Sequence, residues 1–246
     1  MPAWPVRLAM FVRSFAIQGS WNYRTLIGAG FAFALLPALR ARMRGTSDDL
    51  DAAAVRQTDV FNSHPYLVGV ALGAVCRIEE EGGDARVVER FKAAVRGSLG
   101  SLGDALFWAG LRPACALLGM TLVFAGSPWW TGALVFLVVY NAGHIAARVW
   151  GFRVGFRHGR HVAEKLRKAH LTDTQQHIAQ AGTFLLGLLL PLMLAGGRPE
   201  MVPWQWILIG GGLVVLAMRF GAAVRMPIAG GVGALLAAGL LLGLLQ

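Results

Sequence analysis

The feature that most constrains this chain is the run PIAGGVGALLAAGLLLGLL at 227–245, which holds no charged side chain. A helix of that length is about enough to cross a hydrocarbon core of about 30 Å. Only helices and closed barrels satisfy their backbone polar groups in lipid. A second run of similar length, WWTGALVFLVVYNAGHIAA, occupies 129–147, and shorter apolar segments lie at 182–196 and 204–218. Charged residues make up 15% of the chain, against about 25% in soluble domains. So few charges do not solvate a globular surface, and lipid, or a partner within lipid, must cover part of it. Glycine, with 32 copies, suits closely packed membrane helices. Val-rich runs such as 135–139 lie inside long apolar segments, so length favours helix over strand. The expected class is an all-α polytopic integral membrane protein.

Charge sets the expected orientation. The stretch 148–170 carries Arg148, Arg153, Arg157, Arg160, Lys165, Arg167 and Lys168 against Glu164 alone, and should be cytoplasmic. Arg219 and Arg225 mark a second basic turn, and the nearly neutral RPEMVP turn between them should face outside. The predicted C-terminus is then external. The N-terminus lacks a cleavable signal pattern, so insertion would use internal segments. Trp4, Trp129, Trp130, Trp204 and Trp206 sit near Pro and segment ends, which suits an interfacial belt as well as ordinary core positions. The net charge of +10 comes with no nucleic-acid-binding motif, so basic cytoplasmic loops explain it and nucleic acid is not an expected partner. Cys76 and Cys115 are isolated in apolar sequence and read as structural thiols.

The N-terminal half differs. Segments 25–39 and 65–78 are apolar but short. A helix of about 14 residues covers roughly 21 Å, less than the hydrocarbon thickness. They read as re-entrant hairpins, interfacial helices or buried half-helices, and the alternative is a pair of core helices outside the bilayer. The polar stretch 45–60 predicts a helix capped by Thr46 or Ser47. Residues 79–96 predict a solvent-facing turn followed by an amphipathic helix whose apolar face is Val87, Val88, Phe91, Ala94 and Val95. Glu79, Glu80 and Glu81 are expected on the surface, since adjacent carboxylates repel when buried. Residues 1–60 thus form an N-terminal set of amphipathic and short apolar segments, and 61–246 the membrane domain, with both expected to act as one structural unit.

No catalytic constellation is visible. GSLGSLGD at 97–104 lacks the Lys-Ser/Thr of a phosphate-binding loop. His158 and His161 lack the carboxylate or Cys companions of a metal site, so no metal and no cofactor are expected. The notable stretch is 97–113. Gly97, Gly100 and Gly103 permit close backbone approach. Asp104 would start a helix, placing Phe107, Trp108 and Arg112 on one broad face. An ionisable residue in a membrane segment is a candidate functional group, and a sugar is bound by polar groups beside a flat aromatic ring. The same residues also fit a buried structural network. Gln18, Asn22, Asn62, His64, Asn141 and His144 lie in or beside apolar sequence and need hydrogen-bond partners. Gly151, Gly155 and Gly159 line one stripe of a helix, a packing surface for small residues.

Four blocks, RSFAIQGSWNYRTLIGAGFAFALLPALR (13–40), FNSHPYLVGVALGAVCRIEEE (61–81), GSLGSLGDALFWAGLRP (97–113) and VFLVVYNAGHIAARVWGFRVGFRHG (135–159), resemble in this order the IID subunits of mannose/fructose/sorbose-type phosphotransferase systems. The resemblance covers the N-terminal two-thirds and is not recognisable from about 160 to 203. It implies a bacterial inner-membrane, multi-pass transporter subunit without a phosphorylated residue of its own. It further implies pairing with a IIC subunit, a multimer of such pairs, and translocation of a hexose coupled to phosphorylation by IIA and IIB proteins. On this resemblance, Asn62, His64, Asp104, Trp108, Arg112 and Asn141 are the substrate-binding candidates. Gln18, Trp21, Asn22, Gly97, Gly100, Gly103, Gly151, Gly155 and Gly159 are the partner and packing candidates. A membrane scaffold or regulatory relic that moves no sugar is the alternative.

Overall fold

The computed structural model describes residues 2–43 and 47–194. The expected spans at 204–218 and 227–245, the basic turn at Arg219 and Arg225, Trp204, Trp206 and the C-terminus lie outside the described residues, as does the cap of the helix at 47. The described residues are helical, with two isolated backbone bridges, Asn22 with Leu26 and Leu26 with Phe61, and no strand among them.

The helices are α1 (Trp4–Arg13), α2 (Gly28–Arg42), α3 (Ser47–Gln57), α4 (Val68–Glu80), α5 (Ala85–Gly103), α6 (Arg112–Phe124), α7 (Trp129–His158), α8 (Val162–Arg167) and α9 (Leu171–Leu194). They divide into two compact units. One holds residues 2–107 and Ala142–Thr172, the other Trp108–Asn141 and residues 173–194.

In the first unit, α4 is the central helix. Every residue from Val68 to Glu79 except Arg77 is buried. A helix apolar on all sides must be enclosed, and α2, α5 and the C-terminal half of α7 enclose this one. Of the readings open for segment 65–78, the buried helix is the one adopted. The approach of α7 is close because both helices present glycine. A Cβ at Gly73 would stand 2.7 Å from the Phe156 backbone nitrogen and 2.8 Å from the Phe152 carbonyl oxygen. Gly151 and Gly155 meet Val70, Gly73 and Ala74 from the other side. The stripe at 151, 155 and 159 therefore packs within the chain. Helix α4 ends at Gly82, whose φ of 77° suits the left-handed C-terminal cap, and the Gly83 N–H donates to the Ile78 carbonyl.

Helix α5 follows an Asp84 cap whose carboxylate accepts from the Arg86 N–H. Its buried face is Val88, Phe91, Lys92, Val95 and Leu99, while Val87 and Ala94 are exposed. The face is rotated from the expected one because Lys92 turns inward. Its ammonium donates to the Gln57 carbonyl at 3.1 Å and lies over the rings of Phe31 and Phe61. Glu79 is likewise buried, contrary to expectation. Arg42 pairs with it at 2.7 Å and Gln57 donates to its other oxygen, so the carboxylate is compensated. Glu80 and Glu81 are exposed at the end of the helix, and the Arg77 hydrogen bond holds the Glu81 carboxyl below the usual carboxylate range.

Residues 85–124 form one continuous 40-residue helix, long and apolar enough to cross a membrane, and a second such helix runs from Trp129 to Arg167. Asp104 does not start a helix. Residues Asp104–Leu111 form a π-helical segment inside the continuous helix. In the second unit, α6 and α7 form an antiparallel pair in which Gly119 and Gly132 meet backbone to backbone. Ala116, Met120, Val123, Trp129 and Phe136 line a groove of about 330 Å³ beside it. On the outer side of α7, Trp129, Trp130, Leu134, Leu137 and Val138 are exposed. Exposed apolar surface of this extent marks a lipid or protein contact.

Candidate functional site

A polar and aromatic cluster lies in the first unit. The His64 ring stacks on Phe107 with centroids 5.2 Å apart, and the Tyr66 ring stacks on His144 at 4.5 Å. Tyr66 also meets the edges of Phe107 and His64. Beyond them lies Arg148, 4% exposed. Its guanidinium sits over Phe15 at 4.4 Å and Tyr66 at 5.1 Å. Its Nη1 donates to both the carbonyl and the hydroxyl of Ser14, each at 3.2 Å.

The chain builds this cluster from four places. Helix α1 ends in a 3₁₀ turn, Ser14–Ala16, where the Ser14 carbonyl accepts from the Ile17 N–H and, with its second lone pair, from Arg148. The 61–67 loop turns on His64, whose Nδ1 accepts from the Tyr66 N–H. The π-helical segment supplies Phe107. Helix α7 places His144 and Arg148 four residues apart on one face. Gly103 is required here, because a Cβ at that position would overlap the His64 side chain.

The sequence-based candidates are divided between the two units. Only His64 is buried. Asn62 and Asp104 are exposed, Arg112 lies at the surface of α6, and Trp108 is 40% exposed. Asn141 is half-buried and donates to the Leu137 carbonyl one turn back. Asn62, His64 and Asp104 belong to the first unit, and Trp108, Arg112 and Asn141 to the second. The single face expected for Asp104, Phe107, Trp108 and Arg112 assumed i→i+4 geometry. The wider i→i+5 turn breaks that register, leaving Phe107 inside and Trp108 outside.

Gln18, Trp21 and Asn22 lie on an exposed loop. Asn22 organises it: Oδ1 accepts from the N–H groups of Arg24 and Thr25, and Nδ2 donates to Ser20 and Thr25. Trp21 packs edge-to-face on Tyr23 at 4.9 Å. Gly97 and Gly100 face open space.

Arg148, Tyr66 and Ser14 were not anticipated. Arg148 reads as the first residue of a basic cytoplasmic stretch, yet it is the buried anchor of the cluster. The signal is its spacing. It follows His144 by four residues in a run whose exposed positions are otherwise apolar, which places it on the inward stripe.

A family described as "PTS system mannose/fructose/sorbose family IID component" matches residues 6–195. The chain belongs to this family. The match includes 160–195, so the likeness extends beyond the N-terminal two-thirds. Among IID relatives, the mannose-specific EIID component of Escherichia coli K12 is 28% identical over 186 residues, 74% of this chain and 65% of the relative. The fructose permease IID component of Bacillus subtilis 168 is 27% identical over 74% of this chain and 67% of its own length. The sorbose-specific EIID component of Klebsiella pneumoniae is 29% identical over 74% and 68%. The chain thus spans just under two-thirds of the mannose-specific relative. A chain of the cryo-EM complex of the mannose transporter ManYZ with microcin E492 shares the fold, with a TM-score of 0.61 at 22% identity over 99% of this chain and 98% of that one. A chain described as a membrane protein aligns with a TM-score of 0.68 at 23% identity, covering 98% and 97%. This IID protein is an all-α membrane protein.

Proposed function

We infer that this IID protein pairs with a IIC subunit in the bacterial inner membrane to bind a hexose and carry it inward. The sugar would be of the mannose, fructose, sorbose or N-acetylhexosamine class, and separate IIA and IIB proteins would phosphorylate it. The observation that carries this reading is the continuous family match over residues 6–195. In support, helix α7 combines an exposed apolar stretch from Trp129 to Val138 with basic residues from Arg153 onward. That order fits arginines on the cytoplasmic side of the membrane.

The test is uptake of radiolabelled hexoses by cells lacking their own mannose-type membrane subunits. They receive this chain with the IIC, IIA and IIB proteins of the same source. Uptake is expected with the complete set and not when either membrane subunit is left out. Co-purification with IIC, with no uptake of any of the four sugars, is the outcome that rejects transport and supports the scaffold reading. That second reading is favoured by one observation, the exposure of Asn62, Asp104, Trp108 and Arg112 at the surface of their units.

Asn62 and Asp104, both exposed in the first unit, are the substrate candidates to test first. Asp104→Asn should lower uptake about tenfold, equivalent to roughly 1.4 kcal/mol, the scale of one charge-assisted hydrogen bond. Unchanged uptake in Asp104→Asn and Asn62→Ala would remove both from the site. Gly97 and Gly100 leave a smooth open face on α5, suited to an approaching helix of IIC. Gly97→Leu should keep the fold, since none of the described residues lies within 4 Å of a Cβ there, and should lose co-purified IIC. Full retention of IIC would place the interface elsewhere.

A further inference from the structure

Helix α1 has two apolar faces, and among the described residues one of them stays largely uncovered, with Phe15 at its end reached on one side by Arg148. Met10, Ser14 and Ile17 are fully buried at a spacing of four and three residues. Ser14 is held by Arg148, and Phe11 meets the edge of Phe152 at 5.7 Å. The opposite stripe is Trp4, Leu8, Val12 and Phe15, at i, i+4, i+8 and i+11. These residues are 65%, 44%, 59% and 49% exposed. The Ser14–Arg148 anchor prevents the helix from rolling this stripe inward.

Charge identifies what covers the stripe. The first 47 residues contain six arginines and no Asp or Glu. Arg7 borders the stripe, with its guanidinium 5.7 Å from the Trp4 ring. Arg13 lies 4.7 Å over the ring of Phe33, itself 47% exposed on the adjoining α2. A short helix with Trp and Leu outward, arginine beside them and no carboxylate in the first 47 residues fits the headgroup boundary of an anionic bilayer. Glu79 and Glu80 meet Pro2, Ala3 and Val6 in a pocket off the stripe. A protein groove would also accept the apolar side chains, but it gives no reason for the absence of carboxylates across the whole segment.

We propose that α1 lies in the plane of the bilayer surface, with Trp4, Leu8, Val12 and Phe15 inserted at the headgroup–acyl boundary and Arg7 at the lipid phosphates. This rests on the protein's membrane location and not on sugar transport, so it survives or fails independently of the uptake test. The experiment is spin labelling of Leu8→Cys and Val12→Cys in the full chain, reconstituted in nanodiscs containing phosphatidylglycerol. Cys76 and Cys115 are buried and do not compete for the label. Both labels are expected to collide more with lipid-soluble oxygen than with a water-soluble nickel chelate, at a depth of about 5–10 Å below the phosphates. Nickel-dominated collision would put the stripe in water and overturn the proposal. Shielding from both reagents, with IIC present or absent, would show a protein-covered face and overturn it equally.

Discussion

Arg148→Ala should lower the thermal midpoint of the detergent-solubilised protein by about 10 °C. The guanidinium is buried, and it donates twice to Ser14, which is itself fully buried. Its removal takes one hydrogen bond from each Ser14 group, about 1 kcal/mol apiece, while the hydroxyl keeps its bond to the Phe11 carbonyl and the carbonyl keeps the one from the Ile17 N–H. It also removes contacts over Phe15 and Tyr66, worth about 2 kcal/mol when desolvated, and leaves a cavity. A combined loss of about 3–4 kcal/mol corresponds to a fall of roughly 2–4 °C per kcal/mol in a chain of this size. Ser14→Ala removes only the hydroxyl and should cost about 1 kcal/mol. Arg148→Met keeps much of the volume and removes the charge, so it should recover part of the alanine loss, as buried ion replacements often do. A midpoint for Arg148→Ala within about 2 °C of the wild type would mean that the clamp between α1 and α7 carries no stability.

The helices were legible where periodicity and length are strong. The runs at 25–39, 65–78 and 129–147 correspond to α2, α4 and α7. What sequence could not settle is which polar groups turn inward. Glu79 and Arg148 both sit in charge-rich stretches that suggest solvent, and each is buried because a partner distant in sequence compensates it: Arg42 for Glu79, and Ser14 with two rings for Arg148. Periodicity within one helix carries no information about such partners. Lys92 is the same case, with a carbonyl 35 residues away deciding its direction. Asn22 fails in the opposite sense. It looks like a buried amide in an apolar run, but local turn geometry satisfies it at the surface. The face expected for Asp104, Phe107, Trp108 and Arg112 assumed α-helical spacing, and the π-helix at Asp104–Leu111 with Phe107 buried and Trp108 40% exposed was not legible from periodicity.

Gly155→Leu should abolish accumulation of the folded protein, while Gly97→Leu leaves it intact. The two sites are both helical glycines, and composition does not distinguish them. At Gly155 a Cβ would run into the Val70 carbonyl oxygen and stand 2.8 Å from the Ala74 nitrogen. These are backbone atoms of α4, which is enclosed on all sides and has no room to retreat. Overpacking a core costs about 1–3 kcal/mol when side chains can yield. Here only a displacement of α4 relieves the overlap, and that displacement would also open the Gly69–Phe152 and Gly73–Phe156 contacts. The expected loss therefore exceeds about 3 kcal/mol, a large share of the roughly 5–15 kcal/mol that holds an ordinary domain. At Gly97 a Cβ would meet no atom within 4 Å, and leucine improves on glycine's helix propensity by up to about 1 kcal/mol. Size-exclusion chromatography of detergent extracts separates the outcomes. A monodisperse Gly155→Leu protein at wild-type yield would show that α4 and α7 do not interlock through their glycines.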